Sequence, residues 1–210
     1  MSFTLKSLRY LSQAAALCCA FVAASAMAQE TPDALVKRVS GEVLAIIKSD
    51  PKVQAGDQAR IKEVVESKLL PNFDFERITA LAMGRNWRQA TPEQQKQLID
   101  QFRALLVRTY SGALTQYRDQ VMDYKPLRAD ANATEVTVRT EVVRQGQAPV
   151  QIDYSMAKSP SGWKVYDVIV GGVSLVTNYR DEFNEQIKNG GVDGLIKTLT
   201  AKNQQGAPAK

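Results

Sequence analysis

Histidine is absent from all 210 residues, and the two cysteines, Cys18 and Cys19, both fall within the first 28. Without an imidazole there is no Ser-His or Cys-His nucleophile pair and no histidine ligand for zinc, so chemistry is left to carboxylates, lysines, tyrosines and hydroxyls. Long apolar runs are scarce as well. The most prominent, Leu11 to Ala24, is about 14 residues, short of the roughly 20 that a membrane-spanning helix needs. No internal repeat is evident, and a formal net charge of +5 is small for a chain of this length.

The uncharged run has a reading of its own. Lys6 and Arg9 precede it and Ala26-Met27-Ala28 follows it, which is the layout of a secretory signal peptide covering residues 1–28 and cleaved before Gln29. Leu17 stands before Cys18 where a lipid-modified cysteine needs a small residue, so lipidation is not expected. Cleavage removes both cysteines, and the exported protein then has no disulfide framework. Of the 27 basic residues, Lys6 and Arg9 are lost, leaving 25 against 22 acidic and a net charge of +3. That surplus is scattered, with no basic run interleaved with aromatics, so no nucleic acid is expected as a partner. Residues 29–201 are long enough for a single domain with its own core, and the polar tail at 202–210, KNQQGAPAK, has the composition of a disordered segment.

What is present is organised around WKVYDVIVGGVSLVTNY, residues 163–179. Its first half is β-branched and aromatic and stops at Gly171-Gly172; its second half carries Val173, Leu175, Val176 and Tyr179 into the charged helix RDEFNEQIK. Upstream, Leu35 to Ile47 recur at helical spacing after Thr31-Pro32 and end at Asp50-Pro51. A second helix runs through Ile61 to Leu70, a third from Asp74 to Met83. Thr91, Pro92 and Gln94 then form a capping box for the longest helix, whose stripe of Leu98, Phe102, Leu106, Tyr110, Leu114 and Tyr117 is wider than one packing seam requires. From Val121 the period changes to two, giving four strands at Val121–Leu127, Glu135–Arg144, Pro149–Lys158 and Trp163–Val170 joined by short turns. A helix capped by Asp193 closes the chain after the link Asn189-Gly190-Gly191.

Helices, then antiparallel strands, then helices define an α+β class: helices packed on a curved antiparallel sheet of about four strands. Such a half-cone has room for an apolar cavity, although a wide apolar stripe is more often solid core. Two features bear on catalysis. Gly172-Val173-Ser174-Leu175-Val176 sits at a strand-to-helix turn as a hydrolase serine does, but Val176 replaces the second glycine and no histidine is there as base, so no enzyme is expected. Asp181, Glu182 and Glu185 read as a solvated helix face, whereas Asp167, in an otherwise apolar strand, requires a bonding partner.

The strings MGRNWRQATPEQ, LLVRTYSGALTQY, WKVYDVIVGGVSLVTNYR and DGLIKTL, in this order, resemble the periplasmic phospholipid-binding component of the Mla lipid-transport system, the toluene-tolerance family, over about Leu35 to Leu199. The resemblance implies an exported periplasmic carrier that encloses acyl chains in an apolar cavity and shuttles phospholipid between an outer-membrane lipoprotein-porin complex and an inner-membrane ABC transporter with a ring of lipid-binding domains, maintaining outer-membrane lipid asymmetry. Phospholipid is then cargo, with no cofactor, metal or catalytic residue. The contacts expected for the tails are Leu106, Tyr110 and Leu114 on the long helix, Ile152, Tyr154, Tyr166 and Val168 on the strands, and Val173, Val176 and Tyr179 at the hinge. Tyr110 and Val173 stand inside the matching strings. The competing reading is a periplasmic protein-interaction module without lipid cargo, in which the wide stripe is solid core.

Overall fold

A computed structural model describes residues 30–114, 120–130 and 132–205; residues 1–29, with the expected signal peptide, residues 115–119, with Tyr117, Ala131 and the last five residues lie outside them. Helix α1, Pro32–Ser49, starts at a proline for which the missing N–H costs nothing. Asp50 ends α1 and caps the one-turn α2, Pro51–Gln54, accepting from the N–H groups of Lys52 and Val53. Asp57 caps α3, Gln58–Val64. This helix does not continue regularly to Pro71 as its spacing predicts: Val65–Leu69 widen into a π-helical turn and Leu70–Asn72 tighten into a 3-10 turn. Asp74 caps α4, Phe75–Met83, and MGRNWRQ, predicted as loop, contains the 3-10 helix Gly84–Gln89.

The capping box opens α5, Pro92–Leu114. Thr91 donates its N–H to Gln94 Oε1 at 2.9 Å while Gln94 N–H returns a bond to Thr91 Oγ1 at 3.2 Å. Four strands follow: β1 Val121–Tyr124, β2 Glu135–Val143, β3 Val150–Ser159 and β4 Gly162–Val170. The first stops three residues before the predicted Leu127. A fifth strand, β5 Val173–Ser174, was not expected. The sheet is an antiparallel meander in the order β1-β2-β3-β4-β5. Helix α6 then runs Leu175–Gln204, broken only at Gly191, whose φ of 67° and ψ of −170° are not helical. The predicted link at Asn189-Gly190-Gly191 is that break, and Asp193 accepts from Gln94 Nε2 at 2.6 Å, tying the second half of α6 to the start of α5.

The tail boundary at 202 is corrected by α6, which includes Lys202 and Asn203. Their side chains explain why. Lys202 pairs with Glu182 one stretch of α6 earlier, and Asn203 Nδ2 donates to the carbonyl and side chain of Gln101 on α5, each at 2.9 Å. Polar composition did not show these tertiary bonds.

Three apolar clusters hold the layers. In one, α4, α5 and α6 meet around Phe102, whose ring centroid lies 4.8 Å from those of Tyr179 and Phe183, both in edge-on geometry. In the second, Leu35, Val36 and Val39 of α1 lie on Val136, Val138, Met156 and Val165 of the sheet. The third joins the end of α1 to α3 through Val43, Ile47, Ile61 and Val64. These clusters ring a space that none of them fills.

Candidate functional site: an apolar cavity between sheet and helices

That space is a cavity of about 320 Å³. Its walls come from α1 (Val43, Leu44, Ile47), the π-helical turn (Val65, Leu69), Phe73, Phe75 and Ile78, the C-terminal half of α5 (Leu106, Tyr110, Leu114), strands β3 and β4 (Ile152, Tyr154, Val168, Val170) and the first turn of α6 (Leu175, Val176). The volume is in the range of ligand pockets, and the lining is almost wholly apolar. Sheet register accounts for the strand residues. Ile152 pairs with Val170 and Tyr154 with Val168, and cross-strand partners project from the same face.

Leu106, Tyr110, Leu114, Ile152, Tyr154, Val168 and Val176 are thus brought together around one cavity, and three further candidates are not. Tyr166 is the extra residue of a β-bulge: Ser155 pairs with Asp167 and Met156 with Val165, so Tyr166 falls out of register. Its ring lies 3.7 Å beneath the Arg77 guanidinium and its hydroxyl donates to Glu135 at 3.1 Å, a surface clasp between α4 and the sheet. Val173 does not open the helix. It pairs with Val170 across the β4–β5 turn and is 64% exposed on the edge strand. Tyr179 is one turn into α6 but faces the Phe102 cluster and not the cavity.

Reasoning from spacing missed the wall made by α1 and the segment after α3. The signal was present in part: Val43, Leu44, Ile46 and Ile47 spread over a wider arc than a packing seam, and Leu44 and Ile47 line the cavity. Nothing in the local pattern marked the π-helical turn that aims Val65 and Leu69 inward.

Ser40, Ser111 and Asp167 on the lining have their bonds inside the protein. Ser40 Oγ donates to the Val36 carbonyl at 2.6 Å and lies 2.7 Å from the Tyr124 hydroxyl, tying α1 to β1. Ser111 bonds the Val107 carbonyl within α5. Asp167 has the partners that a carboxylate in an apolar strand requires: Oδ2 accepts from Ser174 Oγ at 2.6 Å and Oδ1 from the Val176 N–H at 3.1 Å. Ser174 Oγ accepts in turn from the Thr177 N–H at 3.0 Å, capping α6. The serine that stands where a hydrolase nucleophile would is therefore a helix cap held by a carboxylate. Among the described residues no group of three or more histidine, cysteine or acidic side chains is placed to hold a metal ion, and no helix is long and apolar enough to cross a membrane.

The cavity is open to solvent beside Tyr110 and Val170, each 45% exposed. Tyr179, directly behind, has its hydroxyl pKa pushed up, chiefly by burial and then by the neighbouring Tyr110 hydroxyl. An α+β shell around a mostly apolar cavity that opens to solvent is the architecture of a container for apolar ligands. Sequence comparison is consistent with that class: the family model described as MlaC protein matches residues 37–201, so the chain belongs to the MlaC family. It is 28% identical over 185 residues to the toluene tolerance protein Ttg2D of Pseudomonas putida, covering 88% of this chain and 85% of that one. It is 24% identical over 189 residues to the intermembrane phospholipid transport system binding protein MlaC of Haemophilus influenzae, covering 89% and 86%. A solved phospholipid-binding protein from Ralstonia solanacearum, in complex with a phospholipid, superposes with a TM-score of 0.77 at 47% identity, covering 82% of this chain and 97% of that one.

Proposed function

We propose that this chain is a soluble periplasmic phospholipid carrier: it holds acyl chains in the cavity, leaves the head group in water, and moves lipid between an outer-membrane lipoprotein-porin complex and an inner-membrane ABC transporter, so maintaining outer-membrane lipid asymmetry. The observation that carries this reading is the cavity itself, lined mostly by apolar side chains and open to solvent, in a chain with 47% identity to a protein solved with phospholipid bound. The energetics support a container. Exposing an acyl chain to water costs about 0.8 kcal/mol per methylene, so two long chains crossing an aqueous space unaided cost on the order of 20 kcal/mol. Apolar walls recover most of that without recognising a head group. Among the described residues the lining includes no lysine or arginine, in keeping with binding through the tails.

A transfer assay tests the proposal. Mature protein is expected to accelerate movement of a fluorescent phospholipid from donor to acceptor vesicles, and Val168→Trp, which fills the cavity from the sheet side, is expected to reduce that acceleration several-fold while the protein stays folded. Equal acceleration by both proteins would take the cavity out of the account.

A further inference from the structure

Resting on the carrier reading above, the mouth of the cavity has a feature that tail binding does not use. Tyr110 is the exposed polar member of the lining, and it differs from the others in how its hydroxyl is engaged. Ser40, Ser111 and Asp167 direct their polar atoms into the protein. Tyr110 instead stands at the boundary between apolar wall and water, with 45% of its surface exposed, against the hydroxyl of Tyr179. Tyr179 is fixed, only 7% exposed and held edge-on by Phe102 with ring centroids 4.8 Å apart. A phenolic hydroxyl is both donor and acceptor, so Tyr110 brings a hydrogen-bond donor to the edge of the apolar wall, beside a neighbour that does not move.

A diacyl lipid whose tails lie in the cavity and whose head group is in water must place its ester linkages at that boundary. Ester carbonyls are good hydrogen-bond acceptors, and those drawn toward an apolar wall lose water unless a donor replaces it. We propose that the Tyr110 hydroxyl, positioned by Tyr179, donates to an acyl-ester carbonyl of the bound lipid and makes the protein prefer ester-linked over ether-linked glycerophospholipids. The discrimination belongs to the linkage region and is independent of head group.

The test is competition between two lipids with the same head group and chain length, one diester and one diether, for the mature wild-type protein and for Tyr110→Phe, with occupancy read by native mass spectrometry and folding by thermal unfolding. Wild type is expected to favour the diester by about two- to tenfold, the range of one neutral hydrogen bond. Tyr110→Phe is expected to bind both equally while remaining folded, with the melting temperature lowered by a few degrees because the buried Tyr179 hydroxyl loses its neighbour. Tyr179→Phe, which removes the hydroxyl beside Tyr110, is expected to give an intermediate preference. Equal binding of the two lipids by wild type, or a preference that survives in Tyr110→Phe, overturns the proposal and leaves the carrier reading standing; binding of neither lipid overturns the carrier reading itself.

Discussion

Val173 and Val168 are five residues apart, share β-branched chemistry, and occupy positions with opposite consequences. Val168 pairs with Tyr154 on the cavity wall. Val173 is on the two-residue edge strand with 64% of its surface in water. Tryptophan at Val173 is therefore expected to leave both melting temperature and lipid content near wild type, while tryptophan at Val168 displaces ligand. Thermal unfolding alongside solvent extraction of the two variants checks this; a loss of lipid in Val173→Trp equal to that in Val168→Trp would mean that the edge strand folds over the mouth when cargo is bound. The contrast also shows what residue-level reading can deliver. Leu106, Tyr110 and Leu114 recur at four-residue intervals, so a single helical stripe aims all three at one wall. Tyr166 and Val173 depended on strand register, and a one-residue bulge or a two-residue turn moves a side chain to another environment without any trace in local periodicity.

The turn between β4 and β5 is a property of the element and not of either glycine alone. Gly171 and Gly172 have φ of 56° and 83°, and a two-residue hairpin with both central residues at positive φ matches the twist of its strands. A Cβ on either glycine meets nothing within 4 Å, so the cost of replacing them is backbone strain alone. Gly171→Ala/Gly172→Ala is expected to destabilise the fold by about 1 to 2 kcal/mol per residue, which for a chain of this size lowers the melting temperature by roughly 2 to 4 °C for each kcal/mol. Lipid transfer measured well below the melting temperature is expected to be near normal. A stable variant with slow transfer would instead make these glycines a hinge. At this scale the helices with strong caps were legible: Pro32, Asp74 and the Thr91–Gln94 box start their helices where their side chains predict. The π-helical turn after α3, the 3-10 helix at Gly84–Gln89 and the continuation of α6 past Lys202 were not, because each is set by contacts with distant segments, such as Asn203 with Gln101.

For the whole molecule, the α+β class and the antiparallel sheet followed from the order of periods along the chain, whereas the cavity depends on how three clusters fail to meet. Pattern alone leaves a wide apolar stripe ambiguous between wall and core. The stripe on α5 is divided between the two: Leu98, Phe102 and Leu105 are in the α4–α5–α6 cluster, while Leu106, Tyr110 and Leu114 face the cavity. The central claim is that this space exists to be filled with phospholipid, and native mass spectrometry of the mature protein purified from a Gram-negative host tests it most directly. The predicted result is a folded population heavier than the polypeptide by the mass of one or more phospholipids, identified by extraction and absent from a control protein prepared alongside. A folded protein of polypeptide mass alone, which also fails to take up phospholipid from added vesicles, would contradict the account.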